Sequence, residues 1–382
     1  MDIVTLVVNK FAYLCGGIAN VNDDTINKEG RYFIAVTNND ATDSSSELSC
    51  KNQPKPLAGS TTIQLQNPMD EHDDVVGWVA SPSTAMDIRG RNYLKDRIKI
   101  PSPASLYELV EVDAVDSEKV FSDVGQKYDL SEINKSQIIS QNQKQSKSSV
   151  RGNVTRIQTE KTWLAPNVLV ISFALPIVAP KIGKKTSERG YIVTGYYQLR
   201  EETRDILKII TNPNYNDAEK LKQLNLLINK DKAQSERINA VRLWEKFCKT
   251  APNDPEMQKR LKFIPRGDNL REIGVASWIC KYNGKPMLIK RPGVTSFIFS
   301  HSKGDRMEID INMHPLPFMF KQAMNTLNVS YFHKLFMTFG FIIEGREEDE
   351  LPEVLLGNPL QLPCIKQENV SKAEMVFGKP NE

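Results

Sequence analysis

Thr295-Ser-Phe-Ile-Phe-Ser-His301 and Arg306-Met-Glu-Ile-Asp-Ile-Asn-Met313, joined by Ser302-Lys-Gly-Asp305, carry the reading of the fold. In the second run Met307, Ile309, Ile311 and Met313 alternate with Glu308, Asp310 and Asn312. An extended chain with that period-two pattern has one apolar face and one wet face, the mark of a half-buried antiparallel strand. The short Gly-containing joint makes the two runs a hairpin. Just upstream, Ile273–Tyr282 and Lys285–Arg291 flank Asn283-Gly284, a dipeptide suited to a two-residue turn that needs positive φ. Residues 272–313 therefore read as an antiparallel meander. Pro317–Thr338 follows, with Phe318, Phe320, Met324, Leu327, Val329, Tyr331, Phe332, Leu335, Phe336 and Met337 spread over more than one face. That spread predicts one long, deeply sandwiched helix.

Upstream, Ser105–Asp113 alternates, and Asn167–Ala174 and Tyr191–Tyr197 are rich in β-branched and aromatic residues, so all three read as strands. Residues 199–262 change period. Leu199–Ile210 is helical and stops at Asn212-Pro213. Asn216 or Asp217 can cap a second helix through Lys230, with Leu221, Leu224 and Ile228 as its stripe. Ala233–Lys249 makes a third, with Ile238, Val241, Trp244 and Phe247 or Cys248 on one face, and Asp254-Pro255 fits an N-cap followed by Pro at the first helical position. The order predicts an α+β fold: a curved antiparallel sheet around a long C-terminal helix, a helix-grip layout with a helical insertion. A ligand would then lie between the concave sheet and helix 317–338. Trp278, Phe297, Phe299, Ile309, Ile311, Met324, Leu327, Tyr331 and Leu335 are the candidate lining; the same side chains could equally fill a closed core.

The 382 residues hold 50 Lys plus Arg and 47 Asp plus Glu, a net charge of +3, with 40% apolar and 25% charged residues. This ordinary composition excludes collagen, a coiled-coil rod and a wholly disordered chain, and the near-cancelled charge argues against a general nucleic-acid partner. The five cysteines show no CxxC pair, which points to reduced thiols in a cytoplasmic compartment and to no zinc. Residues 1–19 read as a strand or buried helix rather than a signal or anchor, since Lys10 interrupts them and no basic leader precedes them. Residues 1–74 form a short leader with strand pieces at Gly30–Val36 and Thr61–Gln66, a polar mobile loop between them, and an acidic knot at Asp70–Asp74. The main domain spans 75–367 and includes a polar insertion at 131–160; 368–382 is a tail. No run is long and apolar enough to span a bilayer. None of His72, His301, His314 and His333 sits in a catalytic or metal-binding spacing, and no nucleotide-binding or nucleophile-elbow motif occurs. The expectation is a non-enzyme without cofactor or metal. Between 259 and 291 cations crowd: among them Lys262, Arg266, Arg271, Lys285, Lys290 and Arg291, opposed by Asp268 and Glu272. They could attract anionic headgroups, or could be solubilising charges paired with the acids of 344–353.

Several strings resemble one family: Gly77-Trp78, Ile88-Arg-Gly-Arg-Asn-Tyr-Leu-Lys-Asp96 with Lys99-Ile-Pro101, and Ala165-Pro-Asn-Val-Leu-Val170. Further along come Arg260-Leu-Lys-Phe-Ile-Pro265, Lys285-Pro286, Glu308-Ile-Asp-Ile311 and Ile343-Glu-Gly-Arg-Glu-Glu-Asp-Glu-Leu-Pro-Glu-Val-Leu-Leu-Gly357. In order and spacing they look like the C-terminal domain of the plant enhanced-disease-resistance 2 protein, over roughly Gly77 to Ile365. In the plant proteins this domain, of uncharacterised activity, follows a pleckstrin-homology module and a START lipid-transfer module. Residues 1–74 are too short for either. The resemblance implies no catalytic residues. Arg89 and Arg91, beside Gly90, either clamp the acidic string Glu344–Glu350 or contact a lipid phosphate. Together with the helix-grip order, of which the START fold is the lipid-binding example, this leads to one expectation: a non-catalytic lipid-binding or lipid-transfer domain, cytoplasmic and peripheral on anionic endomembranes. The alternative is an interaction subunit that docks protein partners through the 199–262 helices and the long loops.

Overall fold

The computed structural model describes residues 34–36, 54–70, 74–133, 161–181, 183, 187–280, 283–288, 294–300 and 306–378. The expectations for 1–19, for the 37–53 part of the leader loop, for the centre of the acidic knot at 71–73 and for the 134–160 part of the polar insertion lie outside these residues.

Two sheets carry the architecture. The larger has seven strands in the order β1 (Ile34–Val36), β11 (Thr295–Ser300), β12 (Arg306–Asn312), β7 (Val168–Pro176), β8 (Gly190–Leu199), β6 (Tyr107–Ser117) and β15 (Ser371–Lys372). The smaller has six: β10 (Met287–Leu288), β9 (Leu261–Gly267), β13 (Phe336–Ile343), β14 (Leu360–Pro363), β3 (Val76–Ala80) and β2 (Thr62–Gln64). β11 and β12 form the expected hairpin, with Phe297 opposite Ile309 and Ser300 opposite Arg306. β12 then runs parallel to β7, so the sheet is mixed.

The sheets pack face to face. Phe173 of β7 lies 4.9 Å from Phe339 of β13, ring centre to ring centre, and 6.3 Å from Phe263 of β9. Ile309, Ile311, Val193 and Tyr197 join this core from the large sheet, and Phe341, Leu360 and Trp78 from the small one. Aromatic and β-branched side chains facing each other across two sheets exclude water from both inner faces at once. The helices also feed this core. The helix Ile238–Thr250 buries Ile238, Val241, Trp244, Phe247 and Cys248, the stripe expected from spacing. Trp244 stacks on Phe247 at 5.5 Å and its indole Nε1 donates to the Tyr107 hydroxyl at 2.9 Å. Asn216 caps the helix Asp217–Lys230 in a full capping box with Glu219, and Asp254 caps Pro255–Gln258.

Three expectations are corrected. A single curved sheet gripping a long C-terminal helix does not form. The helix Phe318–Ser330 ends at Tyr331, and Phe336–Met337–Thr338 open β13, which pairs with both β9 and β14. Phe336–Ile343 is apolar on consecutive positions because a central strand of a covered sheet is buried on both faces, and such a run has no helical stripe to read. The meander 272–313 is also divided between sheets. Ser277–Cys280 is a helical turn rather than a strand, and β10 pairs with β9 instead. Gly284 does take positive φ (+67°), but its N–H bonds to Pro265, and Asn283 brackets the Gly267 peptide, so the turn closes on β9. Finally, Leu261–Gly267 is a strand where the sequence pattern suggested the end of the helical stretch.

Each sheet's outer face is covered too. The β4 (Asp87–Arg89) and β5 (Lys99–Pro101) hairpin lays Ile88 and Ile100 on Ile264 and Ile342 of the small sheet. On the large sheet, residues 120–133, the segment around Ala58 and the C-terminal Val376 and Phe377 cover Val168, Val170, Ala174, Ile192 and Tyr196. Ala58 N–H donates to Asp129 and Asp129 N–H to Pro56, which zips the two covering segments together.

Candidate functional site

The β4–β5 hairpin brings the most chemistry to one surface. Its underside is apolar and packed; its tip, 90–99, presents Arg91, Lys95, Arg97 and Lys99 to solvent, with Asp96 as the one exposed carboxylate among them. Ile98 stands between Arg97 and Lys99 with 58% of its surface exposed. The tip is built rather than loose. Tyr93–Asp96 forms one helical turn, closed by Arg97 in the left-handed region (φ 60°), and the Asp96 carboxylate accepts the Ile98 N–H at 2.8 Å. The guanidiniums of Arg89 and Arg97 lie 4.9 and 5.6 Å from the centre of the Tyr93 ring, which orients both by cation–π attraction. Lys95 reaches Glu348 at 2.9 Å in an exposed pair.

Beneath the hairpin lies a buried ion cluster. Lys262, on β9, is 4% exposed at its side chain and places Nζ 2.8 Å from Glu353 and 3.5 Å from Glu344. Arg89 meets Glu344 at 3.2 Å and Glu353 at 3.8 Å, and donates to the Gly345 carbonyl at 3.0 Å. Glu353 also accepts the N–H groups of Gly345 and Arg89. Lys262 and Arg89 thus close on two carboxylates, with Arg346 on the outer side of Glu344 at 2.9 Å, which is how charges are tolerated away from water. Burial pushes the Lys262 ammonium below the usual lysine range, only partly offset by Glu353. A second knot adjoins it. Burial alone would raise the Glu350 carboxyl, but the Arg346 N–H, Lys246 and Arg260 outweigh it and hold it down to about 2. Arg260 contributes at 2.8 Å and Lys246 at 3.1 Å. Three strings of the family resemblance, 88–96, 260–265 and 343–357, therefore meet in one ionic assembly that ties the β4 hairpin to the 344–353 segment, the clamp expected for Arg89.

The other candidates divide by place. Arg91 is exposed, with a long 3.4 Å bond to the Ser235 carbonyl. Arg266 pairs with Asp268 at 2.5 Å and donates to the Ala85 carbonyl. Arg271 and Lys285 are exposed, and Lys290 and Arg291 lie outside the described residues. Of the expected lining, Phe297, Ile309, Ile311 and Leu335 are buried in the core between the sheets, Phe297 against Phe247 at 5.7 Å. Met324, Leu327 and Tyr331 are half-buried and pack onto that core from the helix Phe318–Ser330 and its C-cap. The side chains of Trp278 and Phe299 lie outside the described residues. On the helical insert, Leu221 and Leu226 are 59% and 54% exposed, and with Ala218, Lys222, Asn225 and Asn229 they line a shallow groove of about 360 Å³.

Sequence reasoning missed a polar row on the outer face of the large sheet. Ser296, Asp310, Ser172, Thr194 and Asp113 are successive register partners across β11, β12, β7, β8 and β6. The wet face expected for Glu308 and Asp310 is instead buried, Glu308 completely, under residues 120–133. Asp113 is buried as well and accepts from Gly59 N–H, Thr61 N–H and the Thr61 hydroxyl. Pairing positions 113, 172, 194, 296 and 310 needs the strand order, which periodicity does not contain.

Among the described residues no helix is long and apolar enough to cross a membrane. No curated protein and no solved structure matches the chain. The family model described as Protein ENHANCED DISEASE RESISTANCE 2, C-terminal, matches residues 78–360, from Trp78 of β3 to the start of β14 and across the whole ion cluster, and the chain belongs to that family.

Proposed function

We propose that this chain is a non-catalytic lipid-binding domain that meets anionic membrane surfaces from outside, with the tip of the β4–β5 hairpin as its contact. One observation carries the reading: four exposed cations and an exposed Ile98, flanked by Arg97 and Lys99, share a tip held in shape by Tyr93 and Asp96. Cations near an anionic surface contribute roughly 1 kcal/mol each, and an apolar side chain between them gains by entering the interface. The burial of Phe297, Ile309, Ile311 and Leu335 favours contact at the surface over an internal lipid.

The test is flotation of the full chain with vesicles of phosphatidylcholine alone and with phosphatidylserine added. Binding should require the acidic lipid, weaken with salt and disappear when Arg91, Lys95, Arg97 and Lys99 are all changed to Gln. Equal flotation by the wild type and the four-site variant would sink the reading. The exposed leucines of the helix Asp217–Lys230 favour a second reading, in which the insert docks a protein partner. Leu221→Glu with Leu226→Glu would then remove the complex, while the hairpin variant would keep it.

A further inference from the structure

Glu308 and Asp310 are neighbours on the outer face of β12 and are sealed beneath the turn 123–125. Each uses one oxygen to hold that turn. Asp310 Oδ2 accepts Asp123 N–H at 3.0 Å, with the Ser296 hydroxyl at 3.4 Å, and Glu308 Oε2 accepts Gly125 N–H at 3.0 Å. The other oxygens, Glu308 Oε1 and Asp310 Oδ1, are buried and meet no donor among the described residues. Two orphaned acceptor oxygens on adjacent carboxyls are satisfied together by one proton, donated by one acid to the other.

We propose that the Glu308–Asp310 pair is a proton-binding site, and that its one shared proton keeps residues 120–133 seated on the outer face of the large sheet. The surrounding charges explain why the proton is needed. Arg306, on the same strand, lies 3.4 Å from Glu308 and 2.5 Å from Asp123, which comes from the covering turn. The β7 register partners, Val170 and Ser172, are uncharged, and the β8 neighbour Tyr196 is a phenol that burial, and after it Asp113, pushes well above its usual range and so holds neutral. With the proton in place, two negative charges face one guanidinium. When the proton leaves to solvent, three do, and two of them, on Glu308 and Asp310, are buried. Desolvation, followed by mutual repulsion, pushes Glu308 well above the usual carboxylate range, and desolvation raises Asp310 too. The cover is the part that can move: it holds the carboxylates through two backbone N–H bonds, whereas β12 is fixed between β11 and β7. Lifting it lets water reach the charges and uncovers Val168, Val170 and Ile192.

The sign follows by linkage. The closed form binds a proton that the open form, with ordinary carboxyls, has already lost. Raising pH therefore favours opening, by up to about tenfold per pH unit until the closed pair ionises. The test is hydrogen exchange of the full chain from about pH 5 to about pH 9, corrected for intrinsic base catalysis, in a range that spans a raised carboxyl. Protection of amides 124–128 should fall with pH in the wild type while β7 amides hold steady, and Glu308→Gln should flatten the response. A protonated-carboxyl infrared stretch should be lost from the wild type over the same pH range and be weaker in Glu308→Gln, the difference separating the pair from the buried Asp113, whose carboxyl burial also raises. Wild-type protection that stays constant, falls equally in Glu308→Gln, or falls equally in β7 overturns the proposal.

Discussion

Replacing Glu353 with Ala tests the ion cluster at its centre. The carboxylate is 1% exposed and serves Lys262 at 2.8 Å, Arg89 at 3.8 Å and the N–H groups of Gly345 and Arg89. Without it, Lys262 keeps only Glu344, at 3.5 Å and shared with Arg89. The buried Lys262 and the half-buried Arg89 then share one carboxylate, Glu344, which also holds Arg346 at 2.9 Å, and two N–H groups lose their acceptor. Breaking a buried pair from one side costs about 3–5 kcal/mol, and that figure already contains most of the orphaned-donor penalty, so adding about 1 kcal/mol per N–H would count it twice. A loss of about 4 kcal/mol is about a quarter or more of a typical domain's stability of about 5–15 kcal/mol. Urea unfolding by far-UV circular dichroism reads it as a lower midpoint at unchanged slope. Lys262→Met combined with Glu353→Leu should cost less than either single change, because Arg89 and Glu344 remain a balanced pair at 3.2 Å. In Glu353→Ala the ammonium of Lys262 falls further below its ordinary range. Folded lysine then prefers the neutral form, so the deficit shrinks as pH rises toward the unfolded lysine value. A single-variant cost below about 1 kcal/mol, or a double variant as costly as the sum, would refute the account of the cluster.

Glu350, held down to about 2, stabilises the fold above its unfolded value of 4.5, and that contribution is lost as pH falls through about 2. Glu350→Gln should therefore flatten part of the acid limb of a stability–pH curve followed by urea midpoints. Trp244→Ala removes a fully buried ring stacked on Phe247 and bonded to Tyr107, and should cost about 3–5 kcal/mol in the same assay. A Cβ on Gly125 would overlap the Arg306 guanidinium and crowd Glu308, so Gly125→Ala should loosen residues 120–133, seen as faster exchange at 124–128 with β7 unchanged. Ile98→Ser should lower affinity for acidic vesicles by about tenfold while leaving its salt dependence intact, since it removes apolar insertion and no charge.

Local pattern was sufficient for those elements whose signal is local. The β11–β12 hairpin follows from alternation and a short turn; the helix Ile238–Thr250 from a stripe at helical spacing; the caps at Asn216 and Asp254 from side chains that reach N–H groups two or three residues on. Family membership was legible as well, because ordered strings such as 88–96 and 343–357 survive in sequence without any fold being known. Elsewhere the same reasoning failed for a physical cause. Phe336–Ile343 has no period because both its faces are covered, and β9, which carries Pro265 and the buried Lys262, does not look like a central strand until Glu344 and Glu353 are placed beside it.

The sequence by itself thus determined the elements whose signal is local, such as the β11–β12 pair and the helix Ile238–Thr250, and it offered Glu344–Glu350 as partner for Arg89 or Arg91. Only the tertiary structure decided which faces water reaches. Glu308 and Asp310 alternate with apolar residues as a solvated face would, yet they are buried. The period of a strand fixes which side chains point together; whether that side meets water depends on a segment nearly two hundred residues away that closes over it.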